Sequence, residues 1–164
     1  MLLALPALEQ RFSKRNLMFV SVGLYVIGDL LIFIGKNSAA CLLVGLVITG
    51  LGIYGIFGIT FAMQPDVIDY SEYKKNASVA GLIAAFQGFF VKGGMGLTSF
   101  IIGIFLKKGG YVANAVQTSR ALTHIEICFI WIPIVLCVLI AVLTYFYKLD
   151  SIRGEMTEEL EKRR

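Results

Sequence analysis

The chain has 164 residues, of which 57% are hydrophobic and 16% charged, and its mean hydropathy is +0.79. That balance excludes a water-soluble domain of this length and describes an all-α integral membrane chain. The formal net charge of +4 does not indicate nucleic acid, because the basic residues flank apolar runs instead of forming one patch with interleaved aromatics.

Residues 1–16 read as a cytoplasmic loop or the end of a preceding helix. The opening MLLALPAL has neither a basic n-region nor a small-residue cleavage site, so no signal peptide is evident in it. Four apolar runs follow, Leu17–Gly35, Ala39–Ala62, Val79–Leu106 and Ile125–Tyr147, each able to cross a hydrocarbon core of about 30 Å. They are apolar all round rather than alternating, which predicts four transmembrane helices and not barrel strands. Together they make a membrane segment over 17–147, followed by a cytoplasmic tail over 148–164.

The first span carries one charge, Asp29. The second has a stripe of small residues, Gly45, Thr49, Gly52 and Gly55, continuing towards Gly58, that suits close helix packing. After it comes QPDVIDYSEYKKNASVAG, dense in charge. Pro65 is expected to help close the second span there, with Asp66, Asp69 and Glu72 at three-residue spacing on one side of a short helix or in a solvated loop.

The third span holds Lys92 near its middle, where insertion of a lysine costs about 2.5–3.5 kcal/mol, so the ammonium must be paired, wetted or used. Residues three or four apart share its face: Ala85, Gly88, Gly96, Ser99 and Gly103. That stripe predicts that Lys92 faces protein, with the second span as a plausible close neighbour. Gln87 and Val91 lie on adjacent faces. Asp29 and Lys92 sit about 18 and 20 Å into their helices if both run outward from the cytoplasm, so a buried Asp29–Lys92 ion pair is one reading of both charges.

The fourth span starts beside His124 and Glu126, two residues apart and therefore not on one face; His124 reads as a surface residue. Cys41, Cys128 and Cys137 read as small packing residues, since there is no CxxC spacing and only one histidine. The tail SIRGEMTEELEKRR reads as a short charged helix. Arg11, Lys14, Arg15, Lys74, Lys75 and the tail's Lys148, Arg153, Lys162, Arg163 and Arg164 outnumber Lys36, Lys107, Lys108 and Arg120 on the other side, which predicts both termini in the cytoplasm. No nucleophile–base pair, metal cluster or phosphate loop is visible, so an enzyme is not expected.

Taken together, the run Asp66-Val-Ile-Asp69-Tyr70-Ser-Glu72 with Lys74, then FFVKGG, then GGYVANAVQTS with Gly110, Tyr111 and Asn114, resembles the C-terminal part of the glycoside–pentoside–hexuronide:cation symporters, the melibiose-carrier type of major facilitator. The likeness runs from LPALEQRFSKRN to YKLD. It implies helices nine to twelve of a twelve-helix fold in the cell (inner) membrane, with a sugar at the midplane between two halves that rock alternately. By this resemblance Lys92, Gln87 and Val91 line the sugar pocket. Phe57 falls at a sugar-stacking aromatic position, though packing alone would also account for it. Asp66, Asp69, Tyr70 and Glu72 match a cytoplasmic gating loop. Ser78 and Ala80-Gly81 depart from the family pattern where an arginine and an acidic residue are usual.

The resemblance also implies a glycoside or other sugar as substrate and Na⁺ or H⁺ as coupling cation, whose ligands belong mostly to an N-terminal half outside this chain; no cofactor is expected. The expected function is therefore the C-terminal part of a sugar:cation symporter, inactive alone, with the lipid bilayer and the missing N-terminal half as partners. The competing expectation is a self-standing four-span membrane protein with a structural or partner-assembly role.

Overall fold

The computed structural model describes residues 12–36, 38–75, 79–147, 156, 158 and 159. Residues 1–11, Ser78 and most of the tail over 148–164, with the helix expected in it over 151–164, lie outside the described residues. Among the described residues the regular structure is helical throughout: α1 Lys14–Ile34, α2 Ala39–Lys75, α3 Ala80–Gly109, α4 Ser119–Glu126, a π-helical turn Ile127–Trp131 and α5 Ile132–Tyr145. α4, the π turn and α5 form one run of 27 residues, Ser119–Tyr145. Four helices among the described residues are thus long and apolar enough to cross a membrane.

α1 and α2 form an antiparallel hairpin whose closest approaches follow the glycines. A Cβ on Gly28 would lie 2.5 Å from the Thr49 backbone nitrogen, one on Gly52 2.5 Å from that of Tyr25, and one on Gly45 2.7 Å from the Ile32 side chain. Only hydrogen fits at these positions, which lets the two backbones meet. The small-residue stripe of the second span therefore serves the first span, not the third. α5 closes the third side, burying Met18, Val22, Ile59 and Cys137 together, with Leu17, Tyr25, Ile56, Met63 and Ile140 packed around them.

α2 extends further than its apolar run. Pro65 does not end it: the helix continues through Gln64-Pro65-Asp66 to Lys75, so the acidic residues expected in a connecting loop stand on the last turns of a 37-residue helix. A proline withholds one backbone N–H and crowds the preceding turn. Here the Lys14 ammonium donates to the Ala62 carbonyl at 2.6 Å, supplying a donor in the turn that Pro65 weakens.

α3 ends in a left-handed Gly110 (φ 73°), whose N–H returns to the Leu106 and Lys107 carbonyls, with Lys107 and Lys108 placed to favour the negative end of the helix dipole. Thr118 caps α4 by accepting from the Ala121 N–H at 3.2 Å. Beyond α4, the Ile132 N–H bonds back five residues to the Ile127 carbonyl, one residue before Pro133. The widened turn accommodates the proline ring that a regular α-turn would press against the preceding carbonyl.

α3 meets the rest of the described chain mainly at its far end, where Gly109 lies against His124 and Phe105 sits 6.3 Å from the His124 ring. Along the remainder of α3 every residue is at least partly exposed. A Cβ on Gly88, Gly93, Gly94, Gly96 or Gly103 would meet nothing within 4 Å. The expected contact between this stripe and the second span is not made.

Candidate functional site

Three groups of polar residues, besides an ion pair at the far end of the bundle, lie within this frame. The first closes the end of the bundle at which α1 begins. Lys14 and Asp66, respectively 4% and 2% exposed, form an ion pair at 2.7 Å, and the Tyr147 hydroxyl donates to the same carboxylate oxygen at 3.1 Å. One carboxylate thus ties α1, α2 and Tyr147, two residues past the end of α5, together. Arg15 stands over the Phe19 and Tyr145 rings at 5.9 and 5.0 Å, adding a cation–π contact between α1 and α5. Asp69, Tyr70 and Glu72 follow on the same helix, half-buried, with the Lys74 ammonium 5.5 Å from the Tyr70 ring centre.

At the opposite end Lys36 donates to the Glu126 carboxylate and stands 4.2 Å over the Phe33 ring, which packs edge-on against Trp131 at 5.6 Å. This pair joins the end of α1 to the last residue of α4. His124 bonds back to the Arg120 carbonyl at 2.9 Å within its own helix. Cys128 and Cys137 are buried and Cys41 is exposed.

The second group is on α3. Lys92, Val91 and the neighbouring glycines form an exposed face, with Gln87 half-buried one turn earlier. Gln87, Val91 and Lys92 are within five residues and so are held together by one helix. Phe57 is not with them. Its ring lines a shallow apolar groove of about 300 Å³ formed by α1, α2 and α5, together with Tyr25, Ile53, Pro133, Leu136 and Cys137.

Asp29 forms the third group, deep in the α1–α2 seam. It is 2% exposed, and its Oδ1 accepts from the Thr49 hydroxyl at 3.2 Å. Lys92 is exposed on α3, and the structure does not bring the two charges together.

Sequence reasoning passed over Lys14, Tyr147, Lys36 and Glu126 as partners. Lys14 counted only towards the basic bias, yet it starts a helix at the level where an antiparallel α2 carries Asp66. That equality of level, applied to Asp29 and Lys92, was the available signal.

Three comparisons bear on the chain. Residues 1–151 match the family model described as MFS/sugar transport protein. The isoprimeverose transporter of Lactiplantibacillus pentosus is 34% identical over 160 residues, 96% of this chain and 33% of that protein. An uncharacterized symporter, YnaJ, of Bacillus subtilis (strain 168) is 38% identical over 161 residues, 97% of this chain and 35% of the relative. The glucuronide carrier protein homolog of Escherichia coli (strain K12) is 28% identical over 161 residues, again 97% of this chain and 35% of the relative. The chain therefore spans about a third of the length of these relatives. No solved structure matches it.

Proposed function

This chain belongs to the MFS/sugar transport protein family, and on that premise we propose that it forms the last third of a sugar:cation symporter, one wall of an alternating-access carrier that is inactive without the remainder. The observation that carries the reading is α3. Its length and composition suit a membrane span, yet its glycine-rich face with Lys92 has no helix among the described residues against it. A lysine in a span persists where protein or a wet cavity receives it. In the proposed carrier that face lines the central cavity, opposite the half that supplies most of the coupling-cation ligands.

In this reading Lys92 offers three N–H donors to sugar hydroxyls, Gln87 adds an amide that both donates and accepts, and Val91 forms apolar wall. Phe57, lining the α5 groove, is assigned to packing. The Lys14–Asp66–Tyr147 cluster and the following Asp69, Tyr70 and Glu72 form the cytoplasmic end, where closing and opening of the two halves is controlled. The termini lie in the cytoplasm and the chain resides in the cell membrane.

The test is complementation. This chain is expressed alone, and together with the part of the isoprimeverose transporter that it does not match, while uptake of labelled isoprimeverose is followed. Uptake that needs both pieces, and that Lys92→Ala abolishes at unchanged membrane content, is the expected result. Uptake by this chain alone, or full uptake with Lys92→Ala, overturns the corresponding part of the reading.

A further inference from the structure

The second carboxylate oxygen of Asp29 carries the inference. Asp29 is almost wholly enclosed, at 2% exposure, and its Oδ2 has no hydrogen-bond partner among the described residues. Its Oδ1 receives one bond, from the Thr49 hydroxyl. The site is built tightly: Gly28, its neighbour in sequence, approaches Thr49 so closely that no side chain would fit between α1 and α2.

Charged and titratable neighbours are few. Tyr25 lies one turn earlier on α1 and Cys137 comes from α5, packed against Tyr25 in the same core; from α2 the facing group is Thr49, which does not titrate. The ion pairs among the described residues are Lys14–Asp66 and Lys36–Glu126, and neither involves Asp29. Lys36, the next basic residue along α1, is about 10 Å further up the helix and engaged with Glu126.

An ionised carboxylate taken out of water demands a cation or several donors, and one hydroxyl does not meet that demand. A metal ion would need more oxygen ligands than one carboxylate and one hydroxyl, and no metal-ligating cluster occurs among the described residues. A proton requires none of these. It removes the charge and leaves Oδ1 free to accept from Thr49.

We propose that Asp29 is a proton-binding site, its carboxyl held as the neutral acid with the proton on Oδ2 for as long as the α1–α2 seam is closed. Closing the seam takes up one H⁺ from water, and opening it to water releases that proton. The site stands on the geometry of the seam and holds independently of the transport reading.

The experiment is infrared spectroscopy of the full purified chain in lipid bilayers at neutral pH. The wild type should show the C=O stretch of a protonated carboxyl, Asp29→Asn should lose it completely, and Thr49→Val should shift it because the hydroxyl no longer donates to Oδ1. Absence of the band from the wild type overturns the proposal, as does its full persistence in Asp29→Asn or an unmoved band in Thr49→Val. Thr49→Val keeps the shape of the seam, so the test survives if Asp29→Asn fails to insert.

Discussion

Gly28→Ala tests the hairpin at its tightest point. The added Cβ would sit 2.3 Å from the Thr49 Oγ1 and 2.5 Å from the Thr49 backbone nitrogen. The hydroxyl can rotate away, but the backbone cannot. Restoring an ordinary separation of about 3.5 Å requires α1 and α2 to part by roughly 1 Å. That movement also loosens Gly45 against Ile32 and Gly52 against Tyr25, because all three contacts lie along one antiparallel seam. Overpacking of this kind costs about 1–3 kcal/mol, against which alanine's better helix propensity returns up to about 1 kcal/mol. The net expectation is a loss of about 1–2 kcal/mol. At Gly50, also on α2, an added Cβ would meet nothing within 4 Å, so Gly50→Ala should feel propensity alone and gain up to about 1 kcal/mol. The two variants are compared by thermal unfolding of the purified chain in detergent, read by a thiol-reactive dye in a Cys41→Ser background as Cys128 and Cys137 become accessible. If Gly28→Ala melts at or above Gly50→Ala, the seam is not packed as described.

Lys14→Met removes the buried ammonium that pairs with Asp66, and should cost about 3–5 kcal/mol in the same assay, most of which Lys14→Met combined with Asp66→Leu should recover. Lys36→Gln removes a pair whose side chains are 44% and 30% exposed, so chemical denaturation should register less than about 1 kcal/mol. A maleimide added to the folded chain should modify Cys41 at once and reach Cys128 and Cys137 only as the helices separate, as mass spectrometry of the labelled peptides will show.

The helices were legible from hydrophobicity because a membrane span needs a long apolar run and little else. Their ends were less so. Pro65 reads as a terminator because proline disfavours the helix before it, yet α2 passes through it where Lys14, 48 residues earlier, donates to Ala62. That donor is visible only in three dimensions. The small-residue stripes of the second and third spans look alike in sequence, but one is filled by α1 and the other by nothing among the described residues. A stripe specifies that a backbone can approach; it does not specify whose. The same limit applies to the charges. Matching depth makes Asp29 and Lys92 plausible partners, whereas the equal depths of Lys14 and Asp66 are hidden in the sequence because Pro65 mimics a helix end before Asp66.

The length of α2 has a mechanical meaning. Its 37 residues reach about 55 Å, and because Asp66 is tied to Lys14 and Tyr147 at the end of the packed bundle, the stretch from there to Lys75 carries the rod roughly 13 Å further. Such a projection is a lever arm. A tilt of about 10° in the packed part would sweep its tip through about 2 Å. Asp69, Tyr70 and Glu72 ride on that arm, so a rotation among the packed helices is delivered to them as a translation.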